Sequence, residues 1–277
     1  MKAALIPPIS LLKPFGPSDG DQFHLLLSHL LTSPNYRAFY RRQRKNGAFL
    51  TLDNSAHEYG AGDSPDMLAT YAHQMKVDEV VVPDVLFDAE GTVKKAIETH
   101  ESWFEDGGES MRDFRLMYVP QGRTRAEWAV CLQELIRMHV YVSKRHHLRR
   151  DFTLGISKDY EEWNGGLPLL LAEYVLPTKD YLHLQGVNMD VHMLGWGRKL
   201  WELGTIAQKY RWIRSTDSAK PFVYAIDRWV LDPKGQVPPY PGRPSDYFFA
   251  RRQFAKERKR AMEANIAVYR ALAEGKV

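Results

Sequence analysis

Three acidic residues, each closing a short candidate strand, carry the chemistry this sequence can offer. Asp53 ends Phe49-Leu50-Thr51-Leu52 and is followed at once by an amide and a hydroxyl, Asn54 and Ser55, then by His57 and Glu58. Asp84 ends Val80-Val81-Val82-Pro83, and Asp217 ends Trp212-Ile213-Arg214-Ser215-Thr216. Two further runs stop in small or polar residues, one in Pro120-Gln121-Gly122 and one in Gly155-Ile156-Ser157. A strand that ends in a dense polar cluster presents its groups at the rim of a sheet, where a rigid element holds them and a loop exposes them. Carboxylates placed in different environments divide labour. Breaking an N-glycosidic bond needs a carboxylate at the sugar carbon, as in retaining glycosidases, a proton source at the leaving base, and groups that read the base edge. Guanine offers N1–H and its 2-amino group as a donor edge that fits a carboxylate, and its O6 fits a Gln amide or a backbone N–H.

Such a rim requires strands that all run the same way. Ala3-Ala4-Leu5-Ile6 reads as a first strand ended by Pro7-Pro8, residues 21–31 as a helix, and residues 36–45 as a strongly basic helix closed by Asn46-Gly47. Beyond the Asp53 strand, Ser64-Pro65-Asp66 opens a helix to about Met75, with Ser as N-cap and Pro at the first helical position. After the Asp84 strand, residues 92–104 read as helix. Thr124-Arg125-Ala126-Glu127 reads as a capping box opening a helix to about His139. Residues 165–176 read as helix, 181–186 as strand, 190–210 as a long helix, and the Asp217 strand closes the series. At least seven strand–helix rounds without hairpin turns imply parallel pairing through helical crossovers. The expected fold is α/β, a (β/α)8 TIM-type barrel with its site at the C-terminal strand ends. A doubly wound open sheet is the alternative, but no Gly-x-Gly-x-x-Gly follows a strand; Gly195-Trp196-Gly197 is a poor match. Residues 1–277 read as one domain, with a barrel core of about 1–232 and a C-terminal part, 233–277, made of a proline-rich strap and a long basic helix over 247–272.

The 277 residues include 44% hydrophobic and 12% aromatic side chains, enough for one full core, with a formal charge of +4. A single cysteine, Cys131, excludes an internal disulfide and a cysteine-based zinc site. No apolar run approaches the ~18 residues of a membrane span. The segment Met1 to Pro8 is too short in apolar residues for a signal peptide, so a cytoplasmic protein is expected.

The order of the strand-end motifs resembles the tRNA-guanine transglycosylase superfamily, and within it the DNA-acting phage and bacterial branch, the DpdA-type DNA guanine transglycosylases. Leu52-Asp53-Asn54-Ser55-Ala56-His57-Glu58 falls where that family has Asp-Ser-Gly-Gly-Phe-Gln, and Pro83-Asp84 where it has the base-reading Asp. Val119-Pro120-Gln121-Gly122 is similar to its Val-Gln-Gly-Gly, and Leu154-Gly155-Ile156 to its Gly-Gly-Leu. His183-Leu184-Gln185-Gly186-Val187 is similar to its Tyr-Leu-Met-Gly-Val, and Ser215-Thr216-Asp217-Ser218 falls where it carries the nucleophile. The resemblance covers roughly residues 49–221. It implies that Asp217 attacks C1′ of a guanosine nucleotide, that Asp53 is the general acid/base, and that Asp84 accepts from guanine N1 and the 2-amino group. Gln121 and the Gly155 backbone would hold O6. Asn54 and Glu58 fall at base-contacting or supporting positions with changed residue types. The partners implied are a flipped or single-stranded guanine in DNA and a free 7-deazaguanine base. No cofactor or metal is expected, because the structural zinc cluster of the tRNA enzymes has no counterpart here. A phage or bacterial DNA-modification role connected with restriction follows from that branch.

Each residue also has a plainer reading. Asp53 and Asp217 can cap the helices that follow, Gln121-Gly122 can be an ordinary turn, and His57 an ordinary loop histidine. His146-His147 lies in a basic turn. Arg41, Arg42, Arg44 and Lys45 in one helix, and Arg251, Arg252, Arg258 and Arg260 in another, can be charged helix faces that only aid solubility, but with little acid among them their concentration favours a phosphate-binding surface. Tyr36, Tyr40, Phe248 and Phe249 read as core before they read as base-stacking groups. A tRNA-acting transglycosylase, a non-catalytic nucleic-acid-binding barrel and a small-molecule barrel hydrolase or aldolase remain the alternatives.

Overall fold

In the computed structural model, which describes residues 1–15, 23–105, 111–195, 200–232, 246–249 and 256–276, eight parallel strands alternate with helices in the (β/α)8 TIM-type barrel architecture. The strands are β1 Lys2–Leu5, β2 Phe23–Leu27, β3 Phe49–Asp53, β4 Glu79–Val81, β5 Arg115–Tyr118, β6 Phe152–Ser157, β7 Met189–Leu194 and β8 Ser215–Ser218. The helices are α1 Leu12–Phe15, α2 Pro34–Lys45, α3 Ala56–Tyr59, α4 Pro65–Met75, α5 Ala89–His100, α6 Arg125–Arg145, α7 Gly166–Leu170, α8 Leu176–Leu184, α9 Leu200–Lys209, α10 Lys220–Ile226 and α11 Lys256–Ala273. The hydrogen-bonded order is β1-β8-β7-β6-β5-β4-β3-β2, in which each strand from β3 to β8 neighbours the one before it in sequence and β1 pairs with β8. Parallel neighbours need a crossover, and the intervening helices supply it.

The chain divides into two compact units. The first comprises Met1–Leu25, Thr32–Ala48 and His192–Val277. Here β1 lies parallel to β8 from Lys2↔Ser215 to Leu5↔Ser218, and β8 lies parallel to β7 at His192↔Ser215. Helix α10 is buried along its whole length, an unusual setting for a helix that begins with Lys220. Asn265 of α11 holds that region in place. Its Oδ1 accepts from Leu231 N at 2.7 Å, and its Nδ2 donates to the carbonyls of Pro221 and Trp229. Helix α2 starts at Pro34, which needs no N–H partner in the first turn, and it stops at Asn46 and Gly47, whose φ of 85° suits only glycine well. Its buried stripe is Tyr36, Phe39, Tyr40 and Gln43, at helical spacing.

The second unit comprises Leu26–Leu31 and Phe49–Val191. Strands β3 to β6 pair in parallel through Thr51↔Glu79, Glu79↔Arg115 and Met117↔Thr153. Leu50, Thr51 and Leu52 are all buried, so β3 is covered on both faces and does not alternate between core and water. A polar layer lies across these strands. Glu79 accepts from Thr51 and Thr153, Arg115 Nε lies 3.8 Å from Glu79, and Arg115 Nη1 reaches Asp190 at 2.7 Å. The caps agree with the sequence: Ser64 Oγ accepts from Met67 N, and Thr124 Oγ1 from Glu127 N. The Glu127 carboxylate takes the N–H of Arg123 rather than that of the cap residue itself.

Several elements differ from expectation. Residues 23–27 form strand β2, followed by a 3-10 turn over Ser28–Thr32, where a helix over 21–31 was expected. Phe-His-Leu-Leu-Leu is apolar on both faces, and continuous apolarity does not distinguish a covered strand from a helix. The seventh strand is Met189–Leu194, not 181–186. Residues 181–184 continue α8, leaving Tyr181 and Leu184 exposed, and the chain then turns through Gly186 at φ 72°. The expected long helix over 190–210 is therefore α9 alone. Of the C-terminal part, the strap at 233–244 and the stretch 250–255 lie outside the described residues. Tyr247 and Phe248 are core, Phe249 is exposed, and α11 runs to Ala273.

Candidate active site

The second unit gathers three of the predicted residues at successive strand ends. Asp84 lies just beyond β4, Asn54 just beyond β3 and Gln121 just beyond β5, and each is 3% exposed or less. Asn54 Nδ2 donates to Asp84 Oδ1 at 2.7 Å, and Gln121 Nε2 donates to Asp84 Oδ2 at 2.6 Å. Backbone donors fix which way both amides point. Ala56 N–H can only donate, so the atom it meets on Asn54 at 2.9 Å is Oδ1. Phe87 N–H likewise identifies Gln121 Oε1 at 3.1 Å, and Tyr160 O–H donates to the same oxygen at 2.7 Å.

The remaining valences follow from this. Asn54 gives its second N–H to the Val82 carbonyl at 2.9 Å, so both its donors are used and it supports Asp84 without reading a ligand. Gln121 keeps one amide hydrogen beyond the one given to Asp84. Asn54 and Gln121 each give one hydrogen to a different Asp84 oxygen, the Asp84 backbone N–H adds a further contact, and an ionised carboxylate with about four acceptor sites keeps capacity for more. Burial pushes the Asp84 carboxyl up to about 6, against the opposing effects of the Asn54 and Gln121 hydrogen bonds and the Lys95 charge.

Glycines let the loops close over this cluster. A Cβ on Gly122 would come within 2.5 Å of Trp128 N, so only glycine allows the loop carrying Gln121 to press against the start of α6. A Cβ on Gly62 would meet Asn54 Cγ and Pro83 Cα at 3.0 Å, while Gly62 N donates to the Asp84 carbonyl.

Asp53 is half-buried, and its Oδ2 accepts from Ser55 N at 3.1 Å. Ser55 sits at φ 60°, a left-handed conformation that costs a non-glycine residue energy. Its hydroxyl meets Ser28 Oγ and His29 Nδ1, both at 2.8 Å. Glu58 is half-buried and His57 exposed on α3. Gly155 is buried inside β6. Among the described residues no group of three or more metal-binding side chains occurs.

The first unit holds Asp217, 4% exposed, within β8. Its Oδ1 receives Gly195 N–H at 2.9 Å and lies 3.1 Å from His192 Nε2. In the same unit, Arg41, Arg42 and Lys45 of α2 are exposed. Arg44 is half-buried and donates to the Ala48 carbonyl at 3.1 Å. On α11 Arg260 is exposed and Arg258 half-buried; Arg251 and Arg252 lie outside the described residues.

Sequence reasoning missed Tyr160, His192 and Gly195. Tyr160 follows the Gly155 strand and was within reach as a strand-end residue. His192 and Gly195 were hidden by the misplaced seventh strand, since His192 reads as a strand residue only once β7 is set at 189–194. No protein-family model matches the chain, and no curated protein matches it.

Proposed function

We propose that this protein is a DNA guanine transglycosylase that exchanges guanine for a 7-deazaguanine derivative. The observation that carries the reading is the Asp84 carboxylate, gripped by one N–H from Asn54 on one oxygen and one from Gln121 on the other, with acceptor capacity remaining. Two parallel acceptors match the N1–H and 2-amino pair of guanine. The second Gln121 hydrogen matches O6. Adenine presents no such donor pair and fits poorly.

In this reading a carboxylate oxygen of Asp217 forms a bond to C1′ as the C1′–N9 bond breaks. The electron pair of that bond leaves with the purine, which takes a proton from Asp53. The incoming 7-deazaguanine then loses its N9 proton to Asp53, its nitrogen attacks C1′, and the Asp217 carboxylate is expelled. Two inversions retain configuration. Exposed Arg41, Arg42 and Lys45 suit phosphates, and a paired guanine must be flipped out before it can react.

The test is covalent trapping. Wild-type protein is incubated with guanine-containing DNA or with tRNA and a free 7-deazaguanine, then run on a denaturing gel. An adduct with DNA in the wild type, absent in Asp217→Ala, is expected. An adduct with tRNA alone would move the assignment to the tRNA-acting class. Absence of both adducts and of any base exchange by nucleoside mass spectrometry would end the transglycosylase reading.

A further inference from the structure

We infer that His192 is a positioning residue for the Asp217 carboxylate, held in one tautomer by a one-way chain of hydrogen bonds that starts at Arg214. Its catalytic consequence rests on the reading of Asp217 as nucleophile; the tautomer itself does not.

The chain can be followed hydrogen by hydrogen. An ionised carboxylate only accepts, so His192 Nε2, 3.1 Å from Asp217 Oδ1, is the donor. A neutral imidazole with Nε2–H has an acceptor at Nδ1. The neighbour there is Ser215 Oγ at 2.8 Å, which therefore donates. Having given its one hydrogen, Ser215 Oγ accepts from Arg214 Nε at 3.3 Å. Every arrow points the same way: Arg214 to Ser215, to His192, to Asp217.

The surroundings lock the ring. His192 and Ser215 are 0% exposed. The Phe23 ring lies 5.5 Å from the imidazole, and the Arg214 guanidinium caps the same Phe23 ring at 5.4 Å. Ser, His and Asp together have the membership of a hydrolytic triad, but the direction is wrong for one. Ser215 lies on the far side of the imidazole from where a substrate-facing hydroxyl would stand, and it is sealed from any ligand.

The result for Asp217 is an asymmetric carboxylate. Oδ1 receives both His192 Nε2–H and Gly195 N–H, while among the described residues no hydrogen bond goes to Oδ2. Oδ2 keeps its electron density and is the oxygen assigned to attack C1′. Oδ1 holds the group in orientation and stabilises the carboxylate when it is released.

The test has two independent parts. Long-range 15N–1H correlation on histidine-labelled protein, with the His192 signals assigned by their loss in His192→Gln, is expected to show the Nε2–H tautomer. Ser215→Ala is expected to weaken that preference. A Nδ1–H tautomer in the wild type would overturn the inference whatever the enzyme does. For activity, His192→Phe is expected to slow adduct formation about 100-fold, the size of effect seen when one preorganised donor is removed. KM for the free base should stay unchanged, because the donor acts on the nucleophile and not on the bound purine. His192→Gln, which can still donate to Oδ1, should recover most of the rate. Equal rates for wild type and His192→Phe would refute the positioning role. A wild type inactive on both DNA and tRNA would instead refute the proposed function and leave the tautomer result standing.

Discussion

Acidification should unfold the protein through two buried histidines in the second unit. Tyr118, on β5, joins them: its hydroxyl lies 2.9 Å from His100 Nε2 and 3.2 Å from His139 Nδ1. His139 Nε2 faces the Arg150 carbonyl, which only accepts, so Nε2 carries the hydrogen and Nδ1 takes the Tyr118 hydroxyl. His100 Nε2 must then donate to Tyr118, and its Nδ1 is buried with no hydrogen-bond partner among the described residues. A proton added to His100 Nδ1 has no acceptor among the described residues, and one added to His139 Nδ1 would meet the Tyr118 hydroxyl hydrogen and force it to turn away. Burial accordingly pushes His100 down to about 3, helped by the charges of His139 and His146, and His139 down to about 4.

Both folded values lie below the unfolded value of about 6.5, so the unfolded chain binds more protons in the window between them. Stability is full above pH 7 and falls as pH drops through 6.5. Between pH 7 and pH 5 each histidine costs about 2 kcal/mol, or about 4 kcal/mol together. Asp84 acts in the opposite sense. Its folded value of about 6 exceeds its unfolded 3.8, so it favours the folded state as pH falls through 6, and returns about 1 kcal/mol over the same interval. A net loss of about 3 kcal/mol is expected, a large share of a typical domain's stability. The assay is urea denaturation at pH 7 and pH 5 for wild type and His100→Gln, which keeps a donor for Tyr118 but does not titrate. The variant should lose about 2 kcal/mol less than the wild type on acidification. An identical pH dependence in the two proteins would show that His100 is protonated in the folded state and that the donors do not run from His100 through Tyr118 to His139.

Other perturbations follow from the same geometry. Gly122→Ala forces a Cβ to within 2.5 Å of Trp128 N, and a loss of about 2 kcal/mol with weakened base exchange is expected in thermal melts and activity assays. Asp84→Asn sets one amide N–H against the N–H of Asn54 or Gln121; it should cost about 1–3 kcal/mol in stability and abolish guanine binding measured by calorimetry. Arg115→Met removes a cation 3.8 Å from the buried Glu79 and should destabilise by about 3 kcal/mol, far more than exposed Arg137→Met, which breaks a surface pair with Glu134. Replacing Arg41, Arg42 and Lys45 with Gln should weaken DNA binding and flatten its salt dependence by about one unit of slope for each phosphate no longer neutralised, with no change in the melting curve.

The repeated sequence pattern, a covered strand followed by an amphipathic helix, was enough to set the architecture. Parallel strands need crossovers, and Ser64-Pro65 and Thr124 to Glu127 mark two of the crossover helices by hydrogen bonds made within a few residues. Local chemistry of that kind is written in the chain. Where β2 and β7 lie was not, because Phe23 to Leu27 are wholly buried and Met189 to Leu194 largely so, and burial on both faces erases the period that separates strand from helix.

The candidate site divides in the same way. Asp53, Asp84 and Gln121 could be picked out because each follows an apolar run and carries a polar group that the run cannot absorb, and Asp217 because it falls in the last candidate strand of the series. Their partners could not. Asn54 meets Asp84 across 30 residues and Gln121 meets it across 37, while His192 meets Asp217 across 25. The sequence by itself determined which residues stand in or just beyond strands; only the tertiary structure decided that both Asn54 donors are consumed, that Gln121 keeps one, and that among the described residues the hydrogen bonds to the Asp217 carboxylate reach one oxygen. Hydrogen-bond direction depends on which backbone N–H or carbonyl lies opposite each side-chain atom, and that pairing exists only once strands distant in the chain lie side by side.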